Sequence, residues 1–170
     1  MLMKTKPVSA IQHLAALAVV MLLSSLTVAQ EQQRGSEKYL CSEPNPQAIC
    51  TAENTCGSAS APCAVEIKRT ASSASATPMI PKAKGNQPFC VKAGTTVIWK
   101  SGSKNTGFVL DFGPDLPFGS EAIIGGSDRS SSTVANKKGC YKYSVGACVS
   151  GAIYGMCDSA EAELVITAPQ

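Results

Sequence analysis

From residue 64 onward, apolar and polar positions alternate with a period of two. Val65-Glu66-Ile67-Lys68 alternates cleanly, and Thr95-Thr96-Val97-Ile98-Trp99 follows the turn Lys92-Ala93-Gly94. Phe108, Leu110 and Phe112 fall on one face, with Val109 and Asp111 on the other. Tyr141, Tyr143 and Val145 share a face, and Glu161 to Thr167 closes the pattern with Leu164 and Ile166 pointing inward. A side-chain period of two is that of a strand buried on one side. Phe89-Cys90-Val91 and the polar stretch 130–136 read as further strands, whereas 71–77, 101–105 and 113–126 read as loops. No helical periodicity occurs beyond the first thirty residues. The pattern predicts an all-β Greek-key antiparallel β-sandwich over 64–168. Its core is predicted to contain Val97, Trp99, Leu110, Phe112, Tyr141, Tyr143, Leu164 and Ile166, with a tyrosine hydroxyl (Tyr141 or Tyr143) tied to nearby backbone.

The start of the chain has a different pattern. Lys4 and Lys6 precede the apolar run Leu14 to Leu23, and Thr27-Val28-Ala29 supplies small residues for cleavage. The run is shorter than the roughly 20 apolar residues that span a bilayer. Residues 1–29 therefore read as a signal peptide, 30–63 as a Cys-rich N-terminal extension and 64–170 as the sandwich domain. Secretion or export to a periplasm is expected, with no membrane span.

All eight cysteines, Cys41, Cys50, Cys56, Cys63, Cys90, Cys140, Cys148 and Cys157, lie beyond the leader. An even number in an exported chain implies four disulfides. Residues 41–63 hold half of the cysteines and few apolar side chains, so cross-links must organise that segment. The expectation is that Cys41, Cys50, Cys56 and Cys63 pair mostly among themselves and that Cys148–Cys157 closes a local loop. That leaves Cys90–Cys140, although spacing does not fix connectivity.

Charge and composition narrow the function. Without Lys4 and Lys6 the mature chain keeps 13 basic and 12 acidic residues, a net charge of +1, which is no electrostatic footprint for nucleic acid. The one histidine, His13, lies in the leader. The mature chain thus lacks the commonest general base and metal ligand. No Ser-His-Asp set can form, and the serines lack an S-x-x-K motif. Asp111, Asp115, Glu121 and Asp128 match no calcium-loop spacing. The expectation is a non-enzyme without catalytic residues, cofactor or metal site.

Val91-Lys92-Ala93-Gly94-Thr95-Thr96-Val97-Ile98-Trp99 is similar to the V-x-x-G-x-x-V-x-W strand pair of cupredoxins. Gly139-Cys140-Tyr141-Lys142-Tyr143 is similar to their G-x-Y-x-Y strand, and Gly155-Met156 with Glu163-Leu164-Val165-Ile166 resembles their closing segment. The resemblance, to plastocyanin- and azurin-type domains, covers roughly residues 64–168. Such domains hold one copper through two histidines, a cysteine and often a methionine. The resemblance places those roles near Phe108 and at Val145, Cys148 and Met156, so only Met156 keeps a ligand side chain. It implies a copper-free member of the fold.

The connection from Gly113 to Ile124 is unusually apolar for a surface loop. Leu116, Phe118, Ile123 and Ile124, stiffened by Pro114 and Pro117, form a candidate partner loop for an unknown protein or envelope component. The competing role for Phe118 and Ile123 is to plug the sandwich edge. The leading function is a secreted or periplasmic non-catalytic binding or structural module. The alternative is a small copper-handling or thiol-redox protein using Cys148, Cys157 and Met156.

Overall fold

A computed structural model describes residues 39–71, 73–126, 129–149 and 157–169. The leader and Met156 lie outside these residues. Alternation becomes strand where expected: β1 Cys63–Thr70, β3 Phe89–Lys92, β4 Thr96–Ser101, β5 Thr106–Asp111, β7 Ser131–Val134, β8 Gly139–Val149 and β9 Cys157–Thr167. Two further strands, β2 Ser73–Pro78 and β6 Ala122–Gly126, occupy stretches whose composition reads as loop. β2 forms because its small side chains suit a close approach. Ala74 and Ala76 are buried against the second sheet. The Asn86 side chain then hydrogen-bonds the backbone of β2, accepting from the Ala76 N–H at 2.7 Å and donating to the Ala74 carbonyl at 3.0 Å. β6 forms because Ile123 and Ile124 alternate like any half-buried strand, with Ile123 in the core and Ile124 outside.

The strands build two sheets, one ordered β2-β1-β4-β7 and the other β3-β9-β8-β5-β6. Most neighbours are antiparallel, as expected. Two pairs are parallel, namely β1 with β4 (Cys63 opposite Val97) and β3 with β9 (Phe89 opposite Leu164). Alternation tells which face a residue takes and says nothing of the direction of the partner strand.

All eight expected core side chains are buried between the sheets. Trp99 lies at the centre of an aromatic cluster, edge-on to Phe112 at 6.2 Å, Phe118 at 5.6 Å and Tyr143 at 6.2 Å. Its indole N–H donates to the Thr133 hydroxyl at 2.9 Å, so the buried nitrogen is satisfied. Tyr141 is the tyrosine that ties back, donating to the Lys137 carbonyl at 2.8 Å. The Tyr143 hydroxyl, stacked beneath Phe112, is buried without a hydrogen-bond partner among the described residues.

Four disulfides join the eight cysteines: Cys41–Cys140, Cys50–Cys90, Cys56–Cys63 and Cys148–Cys157. They are the mark of an oxidising, extracytoplasmic compartment. The two local pairs match expectation. Cys90–Cys140 does not form, and Cys41 and Cys50 reach across to the sandwich instead of pairing with near neighbours. The reason lies in the path of residues 39–56, which run over the five-stranded sheet. Cys56 N–H donates to the Cys90 carbonyl at 2.8 Å and Cys90 N–H to the Asn54 carbonyl at 2.9 Å, extending that sheet past β3. Further along, the Glu163 carboxylate accepts the N–H groups of Leu40 at 2.8 Å and Cys41 at 2.9 Å. Among the described residues no helix is long and apolar enough to cross a membrane.

Candidate functional site

The outer face of the five-stranded sheet is divided by this N-terminal segment. One half is covered: Cys140 and Cys90, both opposite Val165, are bonded to Cys41 and Cys50, and the Lys142 ammonium sits 3.7 Å over the Tyr39 ring. Beside it, Lys142 pairs with Glu161 at 3.5 Å.

The other half is not crossed by residues 39–56, and its rows next to β6 are made mostly of small or apolar residues. Val109 stands between Ile124 and Gly146 in one row. Gly107 stands between Gly126 and Cys148 in the next, and Cys148 faces Cys157. Glycine is required at Gly126, where φ is +137° and a Cβ would lie 2.3 Å from the Gly107 Cα. The two strands therefore approach more closely here than side chains allow. A shallow recess of about 460 Å³ opens at this corner, with Ile124, Arg129, Cys148 and Val149 on its walls.

The four residues of the candidate partner loop are split by the fold. Phe118 is 7 % exposed and packs on Trp99 and on Phe112, whose ring centre is 5.2 Å away. Ile123 is buried beside them in the core. Both plug the sandwich, so neither is available to a partner. Leu116 is 39 % exposed at a left-handed turn position with φ of 50°, and Ile124 is 74 % exposed on β6. The pattern around Ile123-Ile124 contained the signal for this split, since consecutive residues of a strand point to opposite faces.

The positions that the resemblance associates with copper also lie in ordinary surroundings. Phe108 and Val145 are buried in the core, and Cys148 is bonded to Cys157. Among the described residues no three His, Cys, Asp or Glu side chains converge on a metal-sized site. Asp111 accepts the N–H of Gly113 at 2.8 Å, a turn-stabilising contact.

No protein-family model matches the chain, and no curated protein is similar to it. Solved structures similar to it include amicyanin from Paracoccus versutus (Thiobacillus versutus), at 18% identity over 69% of this chain and 95% of that one, with a TM-score of 0.34. A methionine-to-alanine mutant of amicyanin with Cu(I) shows 16% identity over 61% of this chain and 82% of that one, at a TM-score of 0.34. An oxidised methionine-to-leucine mutant shows 14% identity over 68% and 95%, at 0.35. At such overlap nothing about ligands or activity passes from those proteins to this one.

Proposed function

We propose that the chain is exported by cleavage of residues 1–29 and acts as a non-catalytic binding module. Its contact is the outer face of β6 and the edge of that strand ahead of Gly126, whose own N–H and C=O pair with Arg129, and its partner is a protein segment in extended conformation. The observation that carries this reading is the character of that edge. β6 ends the five-stranded sheet, and Ala122-Ile123-Ile124-Gly125-Gly126 holds neither charge nor proline. Natural edge strands are usually guarded by such residues or by cover, because unpaired N–H and C=O groups attract another strand. Two of the other three edges follow that rule, β2 being bonded by Asn86 and ending at Pro78 and β3 being extended by residues 54–56, whereas β7, Ser-Ser-Thr-Val, also lacks charge and proline and differs from β6 in its polar side chains. Ile124 beside this edge offers the apolar side chain that gives strand addition its selectivity. Burying it can contribute ~1.5–3 kcal/mol.

The test is photocrosslinking in the cell of origin, with benzoylphenylalanine placed in turn at Ala122, Ile124 and Val134. Ala122 and Ile124 share the outer face of β6, while Val134 lies on β7 of the other sheet. One and the same protein partner should be captured from 122 and 124, through a single peptide, and not from 134. Absence of an adduct at 122 and 124, or equal capture from 134, overturns the assignment. Stoichiometric copper in the protein purified from its own compartment overturns the non-catalytic reading.

A further inference from the structure

We propose that Cys148–Cys157 is a thiol–disulfide exchange site, chemically separate from three disulfides that are permanent staples. Cys148 and Cys157 are directly opposite each other in the antiparallel β8–β9 ladder, and their Cα atoms are 4.3 Å apart. The other three bonds have Cα separations of 5.0 to 5.6 Å. A Cα separation of about 4.5 Å is usual for facing residues of an antiparallel ladder, so the bond fits the two strands as they lie. It joins the last pair of that ladder, where parting the two sulfurs breaks no pair beyond it among the described residues.

Access points the same way. Cys157 is exposed and Cys148, half-buried, lines the surface recess, and exposed disulfides are the more readily reduced ones. Cys56, Cys63 and Cys90 are buried, and Cys41–Cys140 lies where Glu163 holds the N-terminal segment on the sheet. Opening Cys148–Cys157 also leaves the fold intact. The ladder continues from Ala147 opposite Asp158 to Gly139 opposite Ile166, and the released interval spans a sequence separation of only 9.

The partner is a dithiol reductant. Its thiolate attacks the Cys157 sulfur, the Cys148–Cys157 bond breaks and Cys148 leaves as a thiolate that takes up a proton. The partner's second thiolate then attacks the mixed disulfide, releasing Cys157 as a thiol. Two electrons and two protons pass to the protein, and the partner becomes a disulfide. The reverse reaction restores the starting state.

The experiment equilibrates the native protein in dithiothreitol buffers of graded reduced-to-oxidised ratio. Free thiols are trapped with iodoacetamide and assigned by peptide mapping. Cys148 and Cys157 should become alkylated at a ratio at least tenfold below that needed for any other cysteine. Near-UV circular dichroism should stay unchanged, and excess oxidised dithiothreitol should rejoin the pair. Opening of Cys41–Cys140 at the same ratio, or of all eight cysteines together with loss of the near-UV signal, overturns the proposal. A Cys148→Ser/Cys157→Ser variant serves as control and should lose the low-ratio step altogether. If that variant does not fold, the wild-type titration still decides.

Discussion

Replacing Phe118 by alanine should melt the domain about 10 °C earlier, and should do so without touching any partner surface. Phe118 is 7 % exposed, and its ring meets Trp99 at 5.6 Å and 88°, and Phe112 at 5.2 Å and 68°. Truncating a buried phenylalanine costs ~3–5 kcal/mol, because the neighbours close only part of the space it leaves. The two edge-to-face contacts supply ~0.5–1.5 kcal/mol each of that figure. One kcal/mol moves Tm by roughly 2–8 °C over the domain sizes that bracket this one. Cross-links reduce the entropy gained on unfolding, which enlarges the shift for a given loss of free energy. The assay is calorimetry of the fully oxidised protein, with near-UV circular dichroism following Trp99. A fall of less than about 3 °C with the Trp99 signal unchanged would refute the placement of Phe118 in the core, and would return the loop to the list of binding surfaces.

Tyr143→Phe should be neutral or stabilising, since it deletes a buried hydroxyl that has no hydrogen-bond partner. A drop of several degrees in Tm would show that the hydroxyl is satisfied. Burial also pushes the Tyr143 phenol well above its ordinary value. Its stabilising effect is thus complete below the unfolded pKa near 10 and is lost as pH rises toward the folded value, because only the unfolded chain ionises readily there. The wild type should lose Tm more steeply than Tyr143→Phe between pH 9.5 and 12 (roughly the range above the free phenol's pKa); parallel curves would contradict this. Asn86→Ala should cost about 1–3 kcal/mol by stripping two hydrogen bonds from β2, and should speed amide exchange at Ala76. Unchanged exchange there would mean that the strand holds its edge without help.

The strands that were legible in the sequence are those whose side chains both alternate and have bulk. Val97 and Trp99 announce β4, Phe108 and Leu110 announce β5, and Tyr141, Tyr143 and Val145 announce β8. β2 was illegible because Ser73 to Ala76 carry no bulk, and its partner Asn86 lies ten residues beyond Ala76. β6 was hidden by Gly and Pro on its N-terminal side, although Ile123 and Ile124 already obeyed the strand rule. The pairing of Cys41 with Cys140 was beyond reach for another reason. It depends on where residues 39–50 are laid over the sheet, and that is fixed by long-range contacts such as Glu163 with the Leu40 and Cys41 N–H groups. The candidate site was half legible: Ile124 was found, but Phe118 and Ile123 were drawn inward by an aromatic cluster assembled from Trp99 of β4, Tyr143 of β8 and Phe112 just after β5.

The four cross-links also constrain how the protein can mature. Cys56–Cys63 lies inside the span of Cys50–Cys90, which lies inside the span of Cys41–Cys140, while Cys148–Cys157 stands apart. A chain leaving a translocation channel N-terminus first presents Cys41 and Cys50 long before Cys90 and Cys140. An oxidase that joins cysteines in order of emergence would close Cys41–Cys50 and Cys90–Cys140 instead, and only the two short bonds would be native. Correct assembly requires either that oxidation waits for the sheets or that an isomerase reshuffles the premature pairs. The yield of native protein in a host should accordingly follow its disulfide isomerase more closely than its oxidase.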